Sequence, residues 1–179
     1  VGSEMCIRDR IQRARFTSPH PKDLRTETIL AMANTPTVCE HLHLPLQSGS
    51  DRVLTEMHRG YTADRYLRRI AEAKAGIADL AVTTDVIVGF PGESERDFTD
   101  TLEVTAEAGF DSAYTFIYSP RPGTEAAERQ EEFVDHAVSV ERFERLREVL
   151  IRSAALTHRN RVGKVEEVLV AVSYTHLRA

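Results

Sequence analysis

Four groups of residues in this chain have types and spacings that could do chemistry. His41-x-His43 sets two imidazoles on one face of an extended segment, a spacing compatible with a metal site. Gln47-Ser48-Gly49-Ser50 follows it, and an amide with hydroxyls at a strand's carboxyl end can hold ribose hydroxyls or a carboxylate. The stretch Thr83–Glu93 (TTDVIVGFPGE) runs an apolar segment into a Gly-Phe-Pro-Gly turn, whose glycines let the backbone approach a ligand. Ser119-x-Arg121-x-Gly123-Thr124 offers a guanidinium suited to phosphate or carboxylate.

Each group also has a plain structural reading. The histidines can be packed and hydrogen-bonded between sheet and helix, and Ser50 can simply cap the next helix. The glycine turn can join strand to helix with no ligand, and Arg121 can sit in solvent. Gln47 has no capping role to explain it. The turn lacks the Lys-Ser/Thr of a P-loop and the three glycines of a dinucleotide fingerprint. Cys6 and Cys39 form no CxxC or zinc spacing. A metal-dependent barrel hydrolase built on His41 and His43 needs further ligands at later strand ends. Asp85 lies in a strand, whereas His58, His136 and His158 fall on predicted helices.

The elements that position these groups are legible from punctuation and period. Strands are expected at 13–16, 41–46, 82–88, 114–118 and 165–170. Val86-Ile87-Val88 lacks alternation and predicts a parallel strand covered on both faces. Helices are expected over 26–33, from Asp51 to Gly60, from Thr62 to Gly76, from Glu95 to Gly109 and over about 138–160. Ser94 and Asp97 form a capping-box-like start. The long last helix has one apolar stripe, and its Arg142, Arg145, Arg147, Arg152 and Arg159 read as a solvated face. A polar linker rich in Glu precedes it. The alternation of strands and helices is that of a parallel α/β sheet, Rossmann-like or part of a β/α barrel. Four strands belong to the repeating unit, and eight would close a full barrel.

Composition bounds the function. The 179 residues, 41% apolar and 28% charged, suit one domain or one domain with a piece of a second. No run of 18 apolar residues occurs, so no transmembrane helix is expected. Two distant cysteines point to a reducing, cytoplasmic setting. The formal net charge of −5 argues against nucleic-acid binding by bulk electrostatics, while leaving local basic patches open.

Taken together, RFTSPHP (15–21), HLHLPLQSGSDRVLTEMHRGYT (41–62), TTDVIVGFPGESERDF (83–98) and YTFIYSPRPGTEAA (114–127) resemble the radical S-adenosylmethionine (SAM) methylthiotransferases over about residues 11–170. The resemblance is greatest to the branch that modifies N6-isopentenyladenosine in tRNA. Threonylcarbamoyladenosine and ribosomal-protein branches are the alternatives. It implies the carboxyl-terminal half of a partial (β/α)6 barrel at 11–161, its third to sixth βα units. The start of a small RNA-binding β domain follows at 162–171. Residues 1–10 and 172–179 do not resemble the family and read as flanking sequence.

The cofactors implied for the complete enzyme are SAM and two [4Fe–4S] clusters. One cluster reduces SAM to a 5′-deoxyadenosyl radical, and the second supplies sulfur to carbon 2 of the adenine. The expected partner is tRNA, at the adenosine beside the anticodon, with the enzyme a cytoplasmic monomer free of membrane. Gln47, Ser48, Asp85, Gly89, Gly92, Glu93 and Arg59 are expected to face SAM, and Ser18, His20 and Arg121 the substrate pocket. The family's CxxxCxxC loop is not in this sequence, so the chain by itself is expected to bind no cluster and to be inactive. An inactive fragment with an unpaired sheet edge is therefore a further reading.

Overall fold

The computed structural model describes residues 11–15 and 19–165. The expectations for residues 1–10, Ser18, most of the strand at 165–170 and the tail at 172–179 lie outside the described residues.

Helix α1 (Thr26–Ala33) precedes strand β1 (His41–His43). Helices α2 (Asp51–Glu56) and α3 (Ala63–Gly76) lead to β2 (Ala81–Val88). Helix α4 (Glu95–Ala108) leads to β3 (Ser112–Ile117), followed by a single turn, α5 (Glu125–Glu128), and the long α6 (His136–Arg159). The strands form one parallel sheet in the order β1-β2-β3. Parallel neighbours need crossover connections, which α2, α3 and α4 provide. The expected helix boundaries hold to within a few residues, except that α2 ends at Glu56 and His58 turns left-handed at φ 55°. His58 is therefore not on a helix. The Glu-rich linker holds α5 and a short 3-10 turn at Gln130–Glu132.

Caps set the helix starts. Ser50 and Thr62 each accept a backbone N–H at the head of α2 and α3, and Asp135 does so for α6. Ser94 and Asp97 form the reciprocal capping box of α4, which closes at left-handed Gly109.

The strand expected to be covered on both faces is covered on one. In β2, Val82, Thr84, Val86 and Val88 are fully buried, while Thr83, Asp85 and Ile87 are half-buried. The cause lies in the helices. Tyr66 and Ile70 of α3, Phe98 and Val104 of α4, and Leu146 and Leu150 of α6 join Val82, Val86 and Val88 in one core. The opposite face carries Thr83, Asp85 and Ile87 beside Tyr114 and Phe116 of β3, both well exposed.

Two strand expectations are shortened. At 13–16 the described residues make one parallel bridge, Ala14 to Val38. Regular pairing of β1 gives way after Leu44, whose N–H still donates to Thr83 O at 2.9 Å. Side chains take over there: Thr84 Oγ1 donates to Leu44 O at 2.9 Å and accepts from Leu46 N at 2.9 Å. The Tyr66 hydroxyl also reaches Leu44 O, at 2.7 Å. Among the described residues no helix is long and apolar enough to cross a membrane.

Gly49 fixes how closely the loop after β1 meets α4. A Cβ there would stand 2.5 Å from Thr101 Cα and 2.6 Å from Asp100 O, both backbone atoms. Gly49→Ala must push the loop off the helix and should cost about 2–3 kcal/mol. The measurement is the urea midpoint of the purified chain, and an unchanged midpoint would show that the loop does not pack as described.

A candidate ligand site at the carboxyl ends of the strands

A cavity of about 890 Å³ opens at the carboxyl ends of β1, β2 and β3. One side is polar, with Gln47, Asp85, His58, Arg59 and Arg121. The other is apolar and aromatic, with Met57, Ile87, Phe90, Phe116, Ile117 and Tyr118. Residues 119–129 run along the rim, where Arg129 donates to Glu56 Oε2 at 2.8 Å and pairs with Glu132.

Gln47 enters the cavity through an unusual backbone. Its φ is 68°, which is uncommon for a residue other than glycine. Its main chain nevertheless pairs with β2 as a strand residue would: its N–H donates to Asp85 O at 2.8 Å and its carbonyl accepts from Ile87 N at 2.9 Å. Gln47 and Asp85 both line the cavity, and backbone strain of that kind concentrates at functional sites.

The structure brings Gln47, Asp85, Arg59 and Arg121 together on the cavity wall. Two of its buried polar atoms, Arg59 Nε and the Tyr118 hydroxyl, have no hydrogen-bond partner. Ser48 points elsewhere. It is fully buried, 3.3 Å from Thr101 Oγ1, and accepts from Ser50 N. His20 is not on the wall; it accepts from Lys22 N and its ring meets Tyr61 edge-on at 5.5 Å. Burial, with Lys22 and Arg59, lowers the His20 pKa. Ser18 is outside the described residues.

The turn after β2 is held from beneath. Gly89 has φ 73°, and a Cβ there would lie 2.5 Å from Ser139 Oγ of α6. The Glu93 carboxylate is fully buried and accepts from Gly89 N at 2.8 Å and from Arg142 Nη1 at 2.8 Å. Burial pushes its pKa up, and those two donors partly offset this. Arg142, read in sequence as part of a solvated face, is 5% exposed. It is buried because Glu93 would otherwise be an unpaired charge in the core. Gly92, at φ 76°, receives Arg52 Nη2 on its carbonyl at 2.7 Å and donates to Glu132 O. Gly89, Gly92 and Glu93 therefore shape the turn, while Phe90 supplies the side chain on the wall.

One carboxylate ties the two loops of the site together. Asp97 accepts from Ser50 Oγ at 2.6 Å, from Arg52 Nη2 at 2.5 Å, from Ser94 N at 2.9 Å, and also from the Ser94 hydroxyl. Burial acts to raise the Asp97 pKa. The hydrogen bonds from Arg52, Ser50 and Ser94 outweigh it and hold the carboxyl well below the usual range.

Sequence reasoning missed the aromatic wall and the two clamping arginines, Arg52 and Arg129. Tyr114, Phe116 and Tyr118 alternate along the strand, and that period-two pattern was the available signal. The histidines singled out for metal are both bonded to Thr83 Oγ1. Among the described residues no three His, Cys, Asp or Glu side chains are grouped to hold a metal ion.

A parallel sheet with crossover helices and a cavity at its carboxyl edge is the arrangement of β/α-barrel enzymes. The model of the radical SAM superfamily matches residues 3–105. The chain belongs to that superfamily. It is 51% identical over 160 residues to the tRNA-2-methylthio-N6-dimethylallyladenosine synthase of Caldicellulosiruptor saccharolyticus, covering 89% of this chain and 34% of that one. With synthase 1 of Mycobacterium marinum the identity is 52%, covering 89% and 30%. The chain thus spans about a third of the length of these curated relatives. Its fold is similar to that of Escherichia coli coproporphyrinogen III oxidase, a radical SAM enzyme, with a TM-score of 0.65 and 17% identity. That likeness covers 78% of this chain and 32% of the other.

The Asp97 clasp has a pH signature. A carboxyl whose folded pKa is depressed contributes stability that is complete above about pH 4 and is lost as pH falls further. Asp97→Asn should be destabilised by about 2 kcal/mol at pH 7. Denaturant melts across an acid series should show the gap to the parent chain closing below pH 4. A gap of constant size would contradict this assignment.

Proposed function

We propose that this chain supplies the SAM-facing second half of the barrel in a radical SAM methylthiotransferase that acts on N6-dimethylallyladenosine in tRNA. The observation that carries the reading is the identity of 51–52% to synthases of that name over 89% of this chain. The cytoplasm is the compartment we propose for it.

The chemistry of the wall fits SAM. Asp85 and Gln47 offer acceptors for ribose hydroxyls, and the Arg59 guanidinium, with its Nε unpartnered, suits the cofactor's carboxylate. Phe90 and Ile87 give a flat apolar surface against which a purine ring can lie. Arg121, exposed on the rim, is placed for a nucleic-acid phosphate. Ser18 and His20 remain candidates for the substrate side. An iron–sulfur cluster does not fit the described residues, whose one cysteine, Cys39, is half-buried just ahead of β1.

When bound, SAM supplies the radical chemistry of the superfamily. The work of this chain's residues is to hold and orient. Asp85 and Gln47 fix the sugar, and Arg59 fixes the charged end.

The reading is tested by exchange. Residues 11–165 replace the matching segment of the Caldicellulosiruptor saccharolyticus synthase, and tRNA from cells lacking their own enzyme is digested and analysed by mass spectrometry. The methylthio-modified nucleoside should form, and Asp85→Ala in the exchanged enzyme should reduce it at least roughly tenfold. A soluble, cluster-loaded exchange that modifies no tRNA would overturn the proposal.

A further inference from the structure

The two histidines of β1 belong to a row of side chains that ends at Asp85. His43 Nε2 lies 3.3 Å from Asp85 Oδ2, and His43 Nδ1 lies 2.9 Å from Thr83 Oγ1. The same Thr83 oxygen lies 3.0 Å from His41 Nε2. The parallel register sets His43 against Thr83, which brings the four side chains together on the cavity-facing side of the sheet.

The proton count selects one arrangement. The Thr83 hydroxyl has a single proton and can donate to only one imidazole. If His43 donates Nε2–H to the carboxylate, its Nδ1 is bare and accepts from Thr83. Thr83 then accepts from His41 Nε2–H, leaving His41 Nδ1 bare. That atom is buried with no partner, and a lone pair left unused costs less there than an N–H left unused. The reverse arrangement aims a bare His43 nitrogen at a carboxylate and strands a buried donor on His41. Burial, followed by the nearby Arg15 and His43, lowers the His41 pKa, in keeping with a neutral ring.

We infer that His43 is a positioning residue, which Thr83 and His41 hold in one tautomer so that it fixes the Asp85 carboxylate where that carboxylate lines the cavity. This rests on the reading that the cavity takes SAM, whose ribose hydroxyls Asp85 would receive. His43 is 8% exposed, and the Tyr114 ring stands edge-on to it at 6.3 Å.

The test has a spectroscopic and a kinetic arm. In the chain labelled with 15N-histidine, the ring nitrogens of His41 and His43 should both carry the signature of the Nε2–H tautomer. Thr83→Val should shift the His43 ring nitrogens while the thermal melt stays within a few degrees. A His43 signal from the Nδ1–H tautomer would overturn the inference. In the exchanged enzyme, His43→Ala should raise the KM for SAM roughly tenfold with kcat little changed. On an Asp85→Ala background the same change should add nothing further. Equal losses on both backgrounds would reject the positioning role and leave the cofactor reading standing. An unaltered KM in Asp85→Ala alone would reject both.

Discussion

The site depends on the Asp97 carboxylate. It accepts hydrogen bonds from Ser50 and Arg52, which belong to the loop and helix after β1, and from Ser94, which follows the turn after β2. Two segments distant in sequence are thus fixed to one point at the head of α4. Both loops that shape the cavity take their positions from it: Gln47 lies just before Ser50, and Phe90 just before Ser94. The buried Glu93–Arg142 pair does the corresponding work from below, tying the same turn to α6.

The parity of β2 connects this frame to chemistry. Residues 82, 84, 86 and 88 enter the core, so 83, 85 and 87 must face the other way. A slip of one residue would send Asp85 into the helices and Val86 into the cavity. The apolar packing of Val82, Val86 and Val88 therefore sets the register that delivers a carboxylate to the cavity side. Thr84, on the packed side, bonds Leu44 O and Leu46 N through its hydroxyl where the regular ladder gives way. A core position and a backbone irregularity thereby allow Gln47 to stand beside Asp85.

Much of the fold was legible in the sequence because its signals are local. The Ser94–Asp97 capping box and the Gly109 stop are short-range features, and the structure places them as expected. The glycine turn was equally plain, but the role of Glu93 was not, since its burial depends on Arg142, 49 residues away. Arg142 itself looked like one of several surface arginines, and only tertiary packing separates it from Arg147 or Arg152. Val86-Ile87-Val88 suggested a strand covered twice, because a run of branched residues cannot report which face the helices occupy. At the site, Gln47, Asp85, Arg59 and Arg121 were legible as polar residues at strand ends. Ser48 was not separable from Gln47 by sequence; in the structure it bonds Thr101 and Ser50 in the interior, while Gln47 lines the cavity.

The cavity at the carboxyl ends of the strands is the site we propose for SAM. The most direct test is titration of the 15N-labelled chain with SAM, followed by amide chemical shifts. Saturable shifts are expected at Gln47, Arg59, Asp85, Ile87 and Phe90, with the outer surfaces of α3 and α6 silent. Saturable shifts confined to those helices, or none at millimolar SAM in a chain whose spectrum is that of a folded protein, would contradict the proposal.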